Sequence, residues 1–409
     1  MLTRRELMAA GAVVPAAVSA AVSKERPELS LPDKAAFFAS GLTYLDSGSQ
    51  HPISLAGRRA ADAYFSRRML DPHAAAFKLD ADGLRRKFAT LINAQGDEIA
   101  FVQSTTAGEQ LVLRSLGFPE DGGHIVTDTL HFFGSMPIYE ELAKRGVEVT
   151  WIRDRQGRIE PAAYKKAMRP GTRLIALSHV STYNGFEHDL KAICDLAHDN
   201  GTLVYADMVH AAGCIPVDVK AAGVDFAACA TYKWLMGDFG LGFLYARADR
   251  LPMLKRPVAG YYGLSTFQTH VYPLDPAGTR VADYAFAPTA MGMFAQGTHS
   301  HTVIAQLHHS LDYIRSLGVA DIQRHAQGLT DQLKAELPKR GYTLLTPREA
   351  KTPLVTFQQR DANTVLGPLL DAARVKITLS ANRGRVSPSV FNDAADIDRL
   401  LSVLPRASG

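Results

Sequence analysis

Tyr205-Ala-Asp-Met-Val-His210, followed by Ala230-Thr-Tyr-Lys-Trp234, decides how this chain is read. Leu203-Val-Tyr-Ala206 and Phe226-Ala-Ala-Cys-Ala230 are short apolar runs of the kind that form fully buried strands, and they run into Asp207 and Lys233. A strand-end aspartate otherwise caps a helix or turn, and a single lysine is otherwise a solvated charge. Delivered together at the ends of two buried strands, where α/β proteins gather their ligands, the pair reads as a site. Its chemistry suits pyridoxal 5′-phosphate. Lys233 can hold the aldehyde as a Schiff base, and Asp207 can keep the pyridine nitrogen protonated so that the ring accepts electrons.

Outward from these two strands, apolar runs and amphipathic stretches alternate. His124–Asp128, Val147–Ile152 and Leu174–Leu177 read as strands; Met136–Arg145, Pro161–Met168 and Leu190–Asn200 read as helices, the last closed by Gly201. Such alternation implies crossover connections, hence an α/β fold with a mostly parallel sheet flanked by helices. From Thr302 the pattern changes to two long helices, Thr302–Leu317 and Ile322–Lys339. Short strands at Tyr342–Leu345 and Leu354–Phe357 and a helix at Ala394–Val403 follow. The expected organisation is a large domain over residues 35–300 and a small C-terminal α+β domain over 301–409.

With 409 residues, 46% hydrophobic and 21% charged, the chain can bury a large core. A net charge of +4, without a basic run interleaved with aromatics, gives no support for a nucleic-acid partner. Cys194, Cys214 and Cys229 lie in apolar surroundings without a CxxC pair and read as buried thiols. Thr298-His-Ser-His301 lacks the further ligands that a metal site needs, so no metal is expected. At the start, Thr3-Arg-Arg-Glu-Leu-Met8 precedes an uncharged run from Ala9 to Val22, with Val18-Ser-Ala20 a small-residue cleavage site. Residues 1–22 are therefore expected to be a twin-arginine signal peptide that engages the Tat export machinery and directs a folded protein to the periplasm; without that signal the protein would be cytoplasmic.

A phosphate needs backbone donors at a helix start, and Ser104-Thr-Thr-Ala-Gly108 supplies them where the strand Ile99–Val102 gives way to a helix. Thr105 and Thr106 are the candidate phosphate residues, although plain helix capping would use the same sequence.

Tyr205–Gly213, Asp225–Lys233 and Gly240-Leu-Gly-Phe-Leu-Tyr-Ala-Arg247 together resemble the class V aminotransferase family of fold type I, which includes cysteine desulfurases, kynureninases and isopenicillin N epimerase. The resemblance runs from about Tyr44 to about Leu400. Phe101-Val-Gln-Ser-Thr-Thr-Ala-Gly108, Val112–Leu116 and Lys233-Trp-Leu look most like the epimerase-type branch. The resemblance implies a pyridoxal-phosphate enzyme of fold type I in which His210 bonds the ring 3′-oxygen and Tyr232 meets the phosphate, with Thr231 a weaker candidate. Aligning Pro137 with the family proline puts Phe132 on the cofactor face, with His131 the alternative because many relatives use histidine there. His179-Val-Ser-Thr182 matches a block whose fourth position touches the ring oxygen or substrate carboxylate, and Thr182 stands where asparagine is frequent. Gln296-Gly-Thr298 resembles the loop that crosses a dimer interface to the other subunit's phosphate, which implies a homodimer with shared active sites. Arg385 matches the arginine that clamps a substrate carboxylate, a task suited to its planar fork.

Lys233, Asp207 and His210 are thus the expected catalytic residues, acting at the α-carbon of an amino acid or amino-acid-derived group in epimerase, lyase or oxidative or decarboxylating chemistry. No cysteine follows Cys229, which disfavours persulfide chemistry on a small-domain loop. An ordinary aminotransferase with a keto-acid co-substrate is one alternative and a catalytically silent binding module on the same fold is another. Export would make a keto-acid supply uncertain and favours single-substrate chemistry; a class V relative that modifies pyoverdine in the periplasm offers a parallel of family and location.

Overall fold

The computed structural model describes residues 30–37, 41–73 and 79–407, so the expected signal peptide at 1–22 lies outside the described residues. Seven strands form the central sheet: β2 (Ile99–Val102), β3 (His124–Asp128), β4 (Glu148–Ile152), β5 (Thr172–Ser178), β6 (Leu203–Asp207), β7 (Phe226–Ala230) and β8 (Gly242–Ala246), in the order β2-β8-β7-β6-β5-β3-β4. The run from β4 to β7 is parallel, and β8 is inserted antiparallel between β7 and β2. Crossovers through Met136–Lys144, Pro161–Ala167 and Leu190–Asp199 return each chain segment to the same end of the sheet. Residues of β2, β3, β7 and β8 are buried throughout, as expected of strands covered on both faces. The two faces carry separate cores, one built on Val126, Ile175, Val204 and Phe243, the other on Ile125, Ala176, Tyr205 and Leu244.

The sequence expectation of an α/β fold with a mostly parallel sheet is therefore met, and the strand ends agree to within two residues. The smaller core gathers the helices Val319–Lys339, Ala362–Ala372 and Ala394–Val403 over an antiparallel sheet of β11 (Val355–Gln358), β13 (Thr378–Ser380) and β14 (Arg383–Val386). Tyr342–Leu345, expected as a strand, makes only a single bridge from Leu344 to Phe357.

The packing departs from the expected division at residue 300. Helix His301–Leu317 buries Val303, Ile304, Leu307, Leu311 and Ile314 in the large core, and it lies along the helix Leu55–Leu70. At the other end, β1 (Thr43–Tyr44) pairs with β12 (Val375–Lys376), and Leu45 enters the small core. Amphipathic periodicity locates a helix and its apolar face but does not say which core that face enters.

Between β9 (Leu264–Thr269) and β10 (Ala282–Phe286) the chain forms a two-stranded hairpin with largely exposed faces. Tyr261, Tyr262, Phe267, Tyr272, Leu274 and Tyr284 stand exposed on and beside it.

Candidate active site

Asp207 ends β6 and Lys233 follows β7 by three residues, so two adjacent parallel strands deliver the two groups to one edge of the sheet. Lys233 is buried, and its Nζ lies 3.0 Å from His210 Nε2. Burial lowers the Lys233 amine to about 8, with Arg385 adding to the effect and Asp207 opposing it. Burial also pushes the Asp207 carboxyl up to about 6, against the Val209 N–H bond and the fields of His131 and Lys233. One carboxylate oxygen, Oδ1, accepts that N–H at 2.9 Å; the other has no hydrogen-bond donor among the described residues. His210 is held well below the ordinary histidine range by burial and then by Lys233 and Arg385.

Phe132 and Tyr232 flank the amine, with ring centroids 5.9 and 5.8 Å from Lys233 Nζ. Of the two residues considered for the cofactor face, only Phe132 is turned this way. His131 instead points into the core, where its Nε2 lies 3.0 Å from Glu109 Oε1 and its Nδ1 lies 2.9 Å from Ser178 Oγ. Thr105 and Thr106 open the helix Thr105–Ser115, whose first turn has backbone N–H groups without intrahelical acceptors. Ser104 Oγ takes the Ala107 N–H at 3.1 Å, so capping and anion binding use different donors of the same turn. Gly108 lets this helix approach β7: a Cβ there would lie 3.0 Å from Ala228 Cβ.

Arg385, on β14 of the small sheet, reaches the same region and is almost wholly buried. Its Nη1 donates to the carbonyl oxygen and Oγ1 of Thr182 at 3.1 and 2.8 Å, and its Nη2 donates to Ser49 and Thr378 hydroxyls at 2.7 and 2.9 Å. Its Nε is buried without a hydrogen-bond partner among the described residues. Asp46 lies 3.8 Å away and itself accepts from Thr378. Burial lowers the Arg385 guanidinium below its ordinary range, with Asp46 opposing.

One expected residue stays apart from this group within one chain. Thr298 is exposed and has no hydrogen bond to Lys233, Asp207, His210 or Arg385.

Glu109 escaped the sequence reading because it sits inside a helix whose start drew all the attention. It is buried and accepts hydrogen bonds from Ser135, at 2.6 Å, and from Tyr139 as well as pairing with His131. Desolvation pushes its carboxyl up, but the His131 charge and these three bonds outweigh it and the net shift is down. Ser49, Thr378 and the indole of Trp234 are further site residues that sequence alone did not mark. An unpaired buried Glu is costly, so a glutamate on the apolar side of the helix containing Leu111 and Val112 was the available signal.

The residues fit pyridoxal phosphate on chemistry that this structure contains. A buried amine of lowered pKa, a buried carboxylate with one oxygen free of donors among the described residues, open helix N–H groups and an arginine whose Nε has no partner among them are the donor and acceptor set such a group and its carboxylate substrate require.

The sequence profile of the family described as Aminotransferase class-V matches residues 60–400. The chain is 30% identical over 303 residues, 71% of each chain, to a probable cysteine desulfurase of Methanothermobacter thermautotrophicus. It is 27% identical over 352 residues to the kynureninase of Pseudomonas fluorescens, covering 81% of this chain and 80% of that one. Among solved structures, a mutant of C-DES with glycine covalently linked to the PLP cofactor superposes with a TM-score of 0.81 at 20% identity, over 91% of this chain and 98% of the other.

The raised carboxyl of Asp207 has a stability consequence. Below about pH 4 the group is protonated in both folded and unfolded chains, and its burial as an anion costs nothing; as pH rises past 6 the folded chain must carry the charge. The shift from 3.8 to about 6 corresponds to roughly 2–3 kcal/mol. Asp207→Asn should therefore stabilise the cofactor-free protein near pH 7.5 by up to that amount, and the gain should vanish toward pH 4. Urea unfolding of both proteins across this range tests it, and equal stability near pH 7.5 would contradict the assignment.

Proposed function

The chain belongs to the class-V aminotransferase family and is a pyridoxal-phosphate-dependent enzyme, and from that premise we propose that it acts at the α-carbon of an amino acid or amino-acid-derived group, in single-substrate chemistry of the epimerase, lyase or decarboxylating kind. The observation that carries this reading is the pairing of Lys233, a buried amine with a near-neutral pKa, with Arg385, a buried guanidinium whose hydrogen bonds all go to neutral, exchangeable oxygens.

When bound, pyridoxal phosphate supplies an electron-accepting ring that stabilises negative charge at a substrate α-carbon. Lys233 Nζ would be its covalent attachment point, Asp207 would face the ring nitrogen, and His210 the ring 3′-oxygen. Phe132 would lie against the ring face, Thr182 would border the ring oxygen or the substrate carboxylate, and Thr105, Thr106 and Tyr232 would take the phosphate. Lys233 Nζ, with a pKa of about 8, can take up and return a proton near neutral pH. Arg385 can exchange its bonds to Ser49, Thr378 and Thr182 for the two oxygens of a substrate carboxylate.

Relatives at this level of similarity include cysteine desulfurases and a kynureninase, so kinship leaves the reaction open. The thiols speak against persulfide chemistry here. Cys194, Cys214 and Cys229 are all buried, and burial pushes each thiol up, Cys194 to about 12, which leaves no thiolate to attack sulfur. The motifs that look most like the isopenicillin N epimerase-type branch, Phe101–Gly108 and Lys233-Trp-Leu, support single-substrate chemistry, as does export. Arg4-Arg5 ahead of an uncharged run supports a twin-arginine signal, passage through the Tat machinery and a periplasmic location, where a keto-acid supply is uncertain.

The same reading makes the enzyme a homodimer. A two-stranded hairpin is marginal in water by itself, and the aromatic side chains exposed on and beside β9 and β10 would be covered by a second copy. Thr298, exposed at the end of the large domain, would then reach the phosphate in that second copy.

Three outcomes test the proposal. The loaded enzyme, screened against amino acids and amino-acid-containing metabolites, should turn over its substrate without added keto acid; a stoichiometric requirement for one would restore ordinary transamination. Replacing Arg4 and Arg5 by lysine should retain the protein in the cytoplasm with cofactor bound, and unchanged export would remove the twin-arginine assignment. Mixing Lys233→Ala with Thr298→Ala subunits, each inactive alone, should recover part of the activity through one intact shared site; no recovery despite proven subunit exchange would count against sharing.

A further inference from the structure

Trp234 is buried directly after the site lysine, and its indole N–H donates to His210 Nδ1 at 3.2 Å. An indole nitrogen is a donor only, so the Nδ1 lone pair is committed and that atom carries no proton. A neutral imidazole then holds its single proton on Nε2, the atom 3.0 Å from Lys233 Nζ. The reverse tautomer would place two N–H groups head to head between Trp234 and His210. Gly213 fixes the tryptophan from the other side: with φ of 93° it takes a conformation other residues rarely adopt, and a Cβ there would lie 2.6 Å from the Trp234 carbonyl oxygen.

We propose that Trp234 is a positioning residue that acts through His210, locking the imidazole in its Nε2–H form so that it can donate to Lys233 Nζ and thereby favours the unprotonated amine. A lysine ammonium has no lone pair to accept that N–H, and a His210 free to change tautomer could instead accept from it. The other charged or titratable groups around this amine include Asp207 at the end of β6, Cys229 in β7, Arg385 in β14, Asp46 in the N-terminal segment and Tyr232, whose ring centroid lies 5.8 Å from Nζ. None of them touches Trp234 by hydrogen bond, so the indole reaches the lysine through His210. The inference builds on the assignment of Lys233 as cofactor lysine but concerns the protein's own hydrogen bonds.

The test uses the full chain freed of cofactor. Competitive acetylation of Lys233 across a pH series, read by peptide mass, gives the midpoint of the amine. Trp234→Phe should raise that midpoint by about one pH unit, which is about a tenfold loss of reactive amine near neutral pH. In a His210→Gln background the same substitution should have no further effect. An unmoved midpoint, or a shift that persists in full without His210, would overturn the proposal, the second outcome pointing to a packing role alone. If Trp234→Phe does not fold, the wild-type protein still decides: nitrogen NMR of its histidines, with His210 assigned by its loss in His210→Gln, should show the proton on Nε2, and a proton on Nδ1 refutes the lock. None of these readouts requires turnover, so failure of the enzymatic reading and failure of this one are separable.

Discussion

Two ionisable groups buried at the ends of neighbouring strands set the terms for the rest of this molecule. A buried carboxylate and a buried amine each cost several kcal/mol unless neutralised, paired or bonded. Here both are shifted toward their neutral forms, Asp207 to about 6 and Lys233 to about 8. The fold leaves them only partly compensated. Asp207 has one backbone donor, and Lys233 has a neutral imidazole. This is the pattern expected where stability is sacrificed for a ligand that completes the set.

Beneath that pair lies a second polar layer that is fully satisfied. Glu109 joins His131, Ser135 and Tyr139, and Ser178 joins His131 to the backbone N–H of Phe132 at 3.1 Å. The helix beginning at Thr105, the end of β5 and the loop carrying Phe132 are thereby tied together by one buried ion pair. A carboxylate with three donors and a histidine with two partners is rigid, since loss of any member strands another in the core. The backbone of Phe132, whose ring lies 5.9 Å from Lys233 Nζ, is held to this layer through its N–H bond to Ser178.

How far the site could be read in advance follows from which forces are local. The strands ending at Asp207 and Ala230 are continuous apolar runs, and their ends lie where the pattern breaks, so Lys233 and Asp207 were legible from spacing alone. Phe132 was legible only through an aligned proline, and the reading could not choose firmly against His131; what separates them is Glu109, more than twenty residues away and marked by no motif. The hairpin of β9 and β10 was not anticipated, because its side chains follow no burial alternation. Helix Ala362–Ala372 was missed as well, its pattern interrupted by Gly367 and Pro368. The assignment of helix His301–Leu317 to the small domain failed for a different reason: its apolar face was evident, but its destination is a tertiary fact.

Arg385 shows how the two cores are joined at the site. It comes from β14 of the small sheet, yet its partners are Thr182 from the segment after β5 of the large sheet, Ser49 from the N-terminal segment and Thr378 from β13. Three separate stretches of chain therefore meet on one guanidinium, and all of its donated bonds end on neutral oxygens. A carboxylate offers the same fork two anionic oxygens, which form stronger bonds than hydroxyls or a carbonyl. An incoming carboxylate would loosen the bonds that hold β13 and the N-terminal segment to β14 while gaining its own. Asp46, 3.8 Å from Nη2, sets a limit on this exchange, because it already tempers the guanidinium charge and would repel a ligand with excess negative charge. If Arg385 takes the substrate as proposed, selection at this end of the site would rest on a single carboxylate replacing hydroxyls, and the position of the small sheet would be tied to whether that carboxylate is present.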